Sequence, residues 1–184
     1  VFLRAKAMQK SCENTNGTMA AILGLDDEKI KEICTNYNGN VIAANFNCPG
    51  QVVISGEINS VKDICEKFNS LGARRSLILP VSGAFHSSLM NDAKSELKEA
   101  IDNTNFSEPS CPIYQNFNSN KTVVISEIKN NLINQLTNPV LWTQTINNMI
   151  NDGINDFIEV GPGKVLQGLI RKINRDCSTR SALA

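Results

Sequence analysis

His86 is the only histidine in the chain, and it sits in Pro80-Val81-Ser82-Gly83-Ala84-Phe85-His86-Ser87-Ser88-Leu89-Met90, where a strand-like apolar run meets a helix-like one. An unperturbed imidazole titrates near neutrality, so one well-placed copy moves protons as no other side chain here does at its ordinary pKa. Strand-to-helix junctions are where α/β enzymes place catalytic groups. A histidine that is merely exposed, or satisfied in a core, is the competing reading.

The other reactive residue types narrow the choices. Six cysteines (Cys12, Cys34, Cys48, Cys65, Cys111 and Cys177) are scattered and form no CxxC pair. Several fall on apolar faces, such as Cys34 after Ile30 and Ile33, so buried free thiols are expected. One histidine and no clustered thiols leave a zinc site almost no ligands, and no metal is expected. Ser82, Ser87 and Ser88 neighbour His86, yet no G-x-S-x-G elbow occurs in the sequence. They are read as loop-shaping or helix-capping residues.

The elements around these residues follow from size, charge and periodicity. A chain of 184 residues buries the core of one domain or of two small ones. Lys+Arg and Asp+Glu both number 18, for a formal net charge of +0, and with no basic run beyond two residues a nucleic-acid partner is not expected. No apolar stretch approaches a membrane span and no signal peptide opens the chain, so a soluble protein of the cytoplasm or an equivalent reducing compartment is expected. Val1 to Gln9 opens in mid-helix with Leu3, Ala7 and Met8 on one stripe and no capping residue before it, as though cut at its front end.

From Met19 to Leu79 the pattern is β-α-β-β-α-β. Met19–Leu23 is a buried-type strand, and Asp26 caps a helix with Ile30, Ile33 and Cys34 inward. Val41–Phe46 and Gln51–Ser55 form a hairpin around Cys48-Pro49-Gly50. Asn59 or Ser60 caps a helix with Val61, Ile64, Cys65, Phe68 and Leu71 inward, ended by Gly72, and Arg74–Leu79 closes the unit. That order is the split βαβ of ferredoxin-like domains. Beyond His86, Ser87 or Ser88 caps a helix carrying Met90, Ala93, Leu97, Ala100 and Ile101. There follow a strand at Ile113–Phe117, helices at Ile125–Leu136 and Val140–Asn151, a strand at Ile154–Val160 and a helix containing Val165 to Ile173. Strands alternating with helices predict a parallel sheet. The expected fold class is α/β, with a ferredoxin-like domain over 17–79 inserted into an incomplete α/β domain formed by 1–16 and 80–176. A loosely specified tail over 177–184 completes the division.

Five landmarks in order carry a resemblance to a known family. They are Arg4 with Met8-Gln9; Asn45-Phe46-Asn47-Cys48-Pro49-Gly50-Gln51-Val52-Val53-Ile54-Ser55-Gly56; Pro80 to Ser87; Gln135-Leu136 with Asn138-Pro139-Val140 and Trp142; and Glu159-Val160-Gly161-Pro162-Gly163-Lys164-Val165-Leu166. The chain resembles, from about Val1 to Arg175, the malonyl-CoA:acyl carrier protein transacylases of fatty-acid synthesis. The resemblance implies an α/β-hydrolase-like large domain with a ferredoxin-like small one. It also implies a reaction in which malonyl passes from coenzyme A to an enzyme serine and then to the phosphopantetheine thiol of acyl carrier protein. That chemistry takes no metal or redox cofactor, only a nucleophile, oxyanion donors and a hold on the substrate.

Carried over by motif, His86 is the base and the main-chain carbonyl of Gln135 orients it. On that reading Gln135→Ala costs little and a proline there disturbs the loop. The competing reading of Gln135 is a solvated helix-end residue. Arg4 binds the malonyl carboxylate, since a planar guanidinium offers it two parallel donors; otherwise it is a solvated helix arginine. Phe85 narrows the pocket beside the substrate α-carbon, or simply packs. Met8, Asn45, Asn47 and Gln51 line the substrate pocket or cleft, although turn chemistry accounts for Asn47 equally well. The family's GHSxGE serine and oxyanion donors have no counterpart among these residues, so the chain alone is expected neither to take nor to transfer malonate, and to expose apolar sheet surface. The implied partners are malonyl-CoA and acyl carrier protein, with no membrane and a monomeric state when complete. A polyketide-synthase acyltransferase domain and a noncatalytic ferredoxin-like binding module are the alternatives.

Overall fold

Helix α1 (Phe2–Asn14) leads into a β-α-β-β-α-β run in the computed structural model, which describes residues 1–182. The run comprises β1 (Gly17–Leu23), α2 (Asp27–Thr35), β2 (Val41–Cys48), β3 (Gln51–Glu57), α3 (Ile58–Ser70) and β4 (Arg75–Ile78). Its sheet has the order β2-β3-β1-β4, and every neighbouring pair is antiparallel.

The near-continuous burial of β1 follows from cover on both faces. One face is closed by α2 and α3, where Ile22, Ile30, Ile54, Ile64 and Phe68 are all 0% exposed. Full burial of such a side chain is worth about 1.5–3 kcal/mol, so this face holds the unit together. The other face is smaller, with Met19, Ala44 and Val53, and Leu79, Val81 and Phe85 pack on it. That second layer brings the His86 segment onto the sheet.

Local signals act as the sequence suggests at α2, where Asp26 Oδ1 accepts from the Lys29 amide at 3.0 Å. The tip of the β2–β3 hairpin is tied to the same helix: Gly50, at φ +73°, donates its amide to Asp27 Oδ1 at 3.0 Å. Helix α3 corrects the expectation. It begins at Ile58 after Glu57, with no side-chain cap, so Asn59 and Ser60 lie inside its first turn. The Glu57 amide donates to Asn40 O at 2.9 Å and the Ile58 amide to Asn16 O at 3.1 Å. Main-chain acceptors thus do what a capping side chain does elsewhere.

After β4 come a 3-10 turn at Ser88–Met90 and α4 (Asn91–Asp102). Helix α1 packs on α4 through Ala7, Ala93, Leu97 and Ile101, which cluster with Leu136. Leu3, expected on that inner stripe, is 57% exposed. The strand expected over Ile113–Phe117 shrinks to β5 (Ile113–Tyr114), which pairs with β6 (Lys121–Thr122). Beyond Tyr114 the polar groups are committed elsewhere: Gln115 bonds Ile128 O and Asn131 Nδ2, and Asn116 O accepts from the Leu141 amide.

Helices α5 (Ile125–Asn134), α6 (Trp142–Asn151) and α7 (Val165–Ile173) complete the chain together with β7 (Asp156–Glu159) and β8 (Ser178–Ser181). Strand β8 overturns the loose tail expected from Cys177 onward. It pairs parallel with β7, Asp156 opposite Ser178 through Glu159 opposite Ser181, and Cys177 is buried with Ile146 and Ile170. The last two residues of that expected tail, Leu183 and Ala184, lie outside the described residues. Beyond β7, Val160 and Val165 are 83% and 71% exposed.

Five of the cysteines are buried and Cys111 is exposed, all as free thiols. Among the described residues no helix is long and apolar enough to cross a membrane.

Candidate active site

The histidine segment is held at both ends. The Leu79 amide donates to Met19 O at 2.9 Å and the Val81 amide to Leu79 O at 2.8 Å, turning the chain across the open sheet face. His86 itself has φ +63°, a left-handed conformation that costs on the order of 1–3 kcal/mol for a residue with a Cβ. Ser87, fully buried, stabilises it. Its Oγ donates to Ala84 O at 2.6 Å and accepts from the Leu89 amide at 3.2 Å, so Ser87 is the residue that caps the turn.

His86 Nδ1 lies 2.8 Å from the main-chain oxygen of Gln135. Use of that acceptor puts the proton on Nδ1 and leaves Nε2 as the basic nitrogen. Burial is the main force lowering the His86 pKa from its ordinary value; the Gln135 carbonyl opposes it, and the positive charge of Arg4 lowers it further. The imidazole is therefore a neutral base at pH 7.

Gln135 is the residue that ends α5, half-buried, and its polar groups are bonded within the protein. Its amide donates to Asn131 O at 2.9 Å, and its side-chain Nε2 donates to both Asn138 O and Pro139 O, each at 3.0 Å. Leu136, 0% exposed, anchors the loop in the α1–α4 core. At the far end Val140 exchanges main-chain bonds with β2, its amide to Ala44 O at 2.8 Å and its carbonyl from the Phe46 amide at 2.9 Å. The loop is thus a strap between α5 and the small sheet.

Arg4 lies in the first turn of α1, a helix that packs against the Ser88–Met90 turn. It is partly buried, burial lowers its pKa from the ordinary value, and among the described residues it makes no ion pair. A desolvated guanidinium without a counterion is a receptor for an anion.

The remaining expected residues divide. Phe85 packs on Met19, Ala44 and Val53 beside His86. Met8, a turn beyond Arg4, packs into the α1–α4 core. Asn45 bridges Val140, and its Oδ1 is buried without a partner. Asn47 is partly buried further along β2. Gln51 is committed to α7, accepting from Lys172 Nζ at 3.3 Å. Sequence reasoning did not foresee the part played by the Asn138 and Pro139 carbonyls, nor that of Lys94, whose Nζ donates to Asn134 Oδ1 at 2.9 Å. The Asn-Pro step after α5 was the visible signal for the first two.

The structure thus sets a buried imidazole against a main-chain carbonyl, with the Arg4 guanidinium near enough to bear on its charge, in an α/β protein. The chain belongs to the acyl transferase domain family, whose model matches residues 1–182. It is 40% identical over 181 residues to the malonyl CoA-acyl carrier protein transacylase of Staphylococcus aureus strain MRSA252, covering 97% of this chain and 59% of that protein. Against the Bacillus subtilis strain 168 protein of the same name it is 41% identical over 179 residues, covering 96% and 56%. The chain thus spans about three fifths of the length of these curated relatives.

Among solved structures, the acyl-carrier-protein S-malonyltransferase of Burkholderia pseudomallei 1710b superposes with a TM-score of 0.93 at 38% identity, covering 97% of this chain and 59% of that one. A malonyl-transacylase in complex with its type II PKS acyl-carrier protein superposes with a TM-score of 0.90 at 35% identity, covering 98% and 58%.

Proposed function

We propose that this chain carries the base, the base-orienting carbonyl and the carboxylate clamp of a malonyl-CoA:acyl carrier protein transacylase. The observation that carries the reading is the Nδ1 contact of His86 with Gln135 O at 2.8 Å. It leaves Nε2 free to take a proton from a nucleophilic serine and return it to the departing thiol. Arg4 supplies the selectivity. A buried charge left unpaired by an acetyl group costs roughly 2–5 kcal/mol, more than the roughly 1–3 kcal/mol of a lost methylene contact, so an acyl group without a terminal carboxylate is rejected mainly at the guanidinium. Phe85, next to the base, limits substitution at the substrate α-carbon. Asn45 and Asn47 lie along the same strand as hydrogen-bonding groups for substrate or carrier.

The antiparallel order β2-β3-β1-β4 with α2 and α3 on one face supports a ferredoxin-like small domain. The parallel β7–β8 pair, joined through α7 as a β-α-β unit, supports an α/β-hydrolase-like partner domain. The names of the relatives support malonyl-CoA and acyl carrier protein as substrates; exchange of one thioester for another calls on no cofactor, and a cytoplasmic setting is part of the same proposal. The direct test supplies the 184-residue chain with the part of the Staphylococcus aureus relative that it does not cover, and follows malonyl transfer from malonyl-CoA to holo acyl carrier protein by intact mass. Transfer that is abolished by His86→Ala is expected; transfer that is indifferent to that substitution refutes the reading.

A further inference from the structure

The loop between α5 and α6, which bridges to β2 at Val140, does more than offer a carbonyl. Gln135 contributes two groups from one Cα: the main-chain oxygen that meets His86 Nδ1 at 2.8 Å, and a side-chain NH2 that meets Asn138 O and Pro139 O at 3.0 Å each. A primary amide has two donor hydrogens, and both find acceptors here. Those acceptors lie three and four residues onward, so the side chain closes a ring over the segment whose first carbonyl faces the imidazole.

Other bonds fix the two ends of this ring without fixing its direction. Asn138 Nδ2 reaches back to Asn134 O at 2.8 Å and Thr137 Oγ1 at 3.3 Å. Lys94 Nζ holds Asn134 Oδ1 at 2.9 Å. Val140 is laddered to β2. Pro139 has no amide hydrogen to offer and that of Val140 is spent on Ala44 O, and the Gln135 side chain supplies two donors to the carbonyls of this part of the loop. Without them the Pro139 carbonyl loses its partner and the Asn138 carbonyl keeps only its contact with His86, so the turn that presents the Gln135 oxygen is held less firmly.

We propose that the Gln135 side chain is a positioning group that, by clamping the carbonyls of Asn138 and Pro139, aims its own main-chain carbonyl at His86 and thereby selects the Nδ1–H tautomer with Nε2 as the free base. This rests on the reading of His86 as the base, and it replaces the expectation that Gln135→Ala costs little. The role is specific to a donor amide of this length: alanine removes the clamp, and glutamate keeps the shape but turns an acceptor toward two carbonyl oxygens.

The test reads the imidazole itself. The nitrogen-15 shifts of His86, assigned by their loss in His86→Asn, are measured above the pH of its titration in the native chain, in Gln135→Ala and in Gln135→Glu, with circular dichroism confirming that each variant is folded. The native chain is expected to show one fixed Nδ1–H tautomer. Gln135→Ala moves the two nitrogen shifts toward the averaged positions of an unconstrained imidazole, and Gln135→Glu moves them at least as far. A folded Gln135→Glu or Gln135→Ala chain that keeps the native shifts overturns the proposal. In the supplemented transfer assay the Gln135→Ala rate falls about tenfold or more with KM changed less than about threefold, the pattern of a lost transition-state interaction. Altered tautomer shifts without a rate change leave the clamp standing and sink the base reading instead.

Discussion

Gly83 and Cys12 touch across the boundary between the histidine segment and α1: a Cβ built on Gly83 would stand 2.1 Å from Cys12 Sγ. Cys12 is 7% exposed and cannot swing away into solvent. The glycine is therefore required by space, and it sets how closely the His86 loop lies against the helix that carries Arg4. Gly83→Ala is expected to destabilise the fold by about 1–3 kcal/mol, as overpacking does. Truncating the obstacle should reverse much of that loss, so Gly83→Ala/Cys12→Ala is expected to be more stable than Gly83→Ala alone. Denaturant midpoints of the four chains in the cycle decide the point; strictly additive effects would show that the contact is unimportant.

The depressed pKa of His86 makes two statements about pH. Burial, the principal cause, disfavours the charged ring, so the ring stays neutral below its ordinary value of 6.5, and on the proposed function the acidic limb of transfer by the supplemented protein should lie below that pH. For stability, the unfolded chain binds the proton more readily than the folded one. The contribution is thus fully present above the unfolded pKa and is lost as pH falls through the folded one. The native chain should therefore lose stability relative to His86→Gln on acidification from pH 7. Parallel unfolding midpoints at pH 7 and at about pH 5 would contradict the burial argument.

Arg4→Ala is expected to weaken malonyl-CoA binding by roughly 2–5 kcal/mol while leaving acetyl-CoA nearly unaffected, because only the first ligand brings a carboxylate to the guanidinium. Arg4→Lys should recover part of the loss, since an ammonium keeps the charge without the planar fork. Calorimetric titration of both thioesters into each variant separates the roles, and an unchanged malonyl-to-acetyl ratio in Arg4→Ala would remove Arg4 from the site.

Where burial follows a period, the fold was readable before it was seen. The inward residues Ile30 and Cys34 of α2, and Val61, Ile64, Cys65 and Phe68 of α3, are spaced for one helical face and are buried on one. The histidine segment was visible as a junction between periods. Gln135 was reachable only through the family resemblance, because a main-chain carbonyl has no residue type of its own to read. Its side-chain clamp was invisible for a related reason: both acceptors are main-chain oxygens, and their approach depends on the path taken through Asn138 and Pro139. Strand β8 was missed because Ser178-Thr179-Arg180-Ser181 carries no apolar alternation. Its place comes from a main-chain ladder and from polar contacts such as Arg171 Nε to Thr179 Oγ1 at 3.0 Å and Gln167 Nε2 to Ser181 Oγ at 2.9 Å.

Strand β8 also offers a test with a built-in reporter. Trp142 is the only tryptophan in the chain and packs against the cluster of Ile146, Ile170 and Cys177. Ending the chain at Asp176 removes Cys177 from that cluster, strips β7 of its parallel neighbour and breaks the Arg180–Asp156 ion pair at 3.2 Å. The ion pair is exposed at both ends and of little consequence by itself. The ladder and the buried thiol matter more, because they hold β7 and α7 against α6. The shortened chain should show red-shifted Trp142 fluorescence and earlier unfolding of α6 and α7, while hydrogen exchange in the β1–β4 sheet, whose core is closed by α2 and α3, should stay slow. Native Trp142 emission in the shortened chain would mean that β8 contributes nothing to the cluster and that the segment is a tail after all.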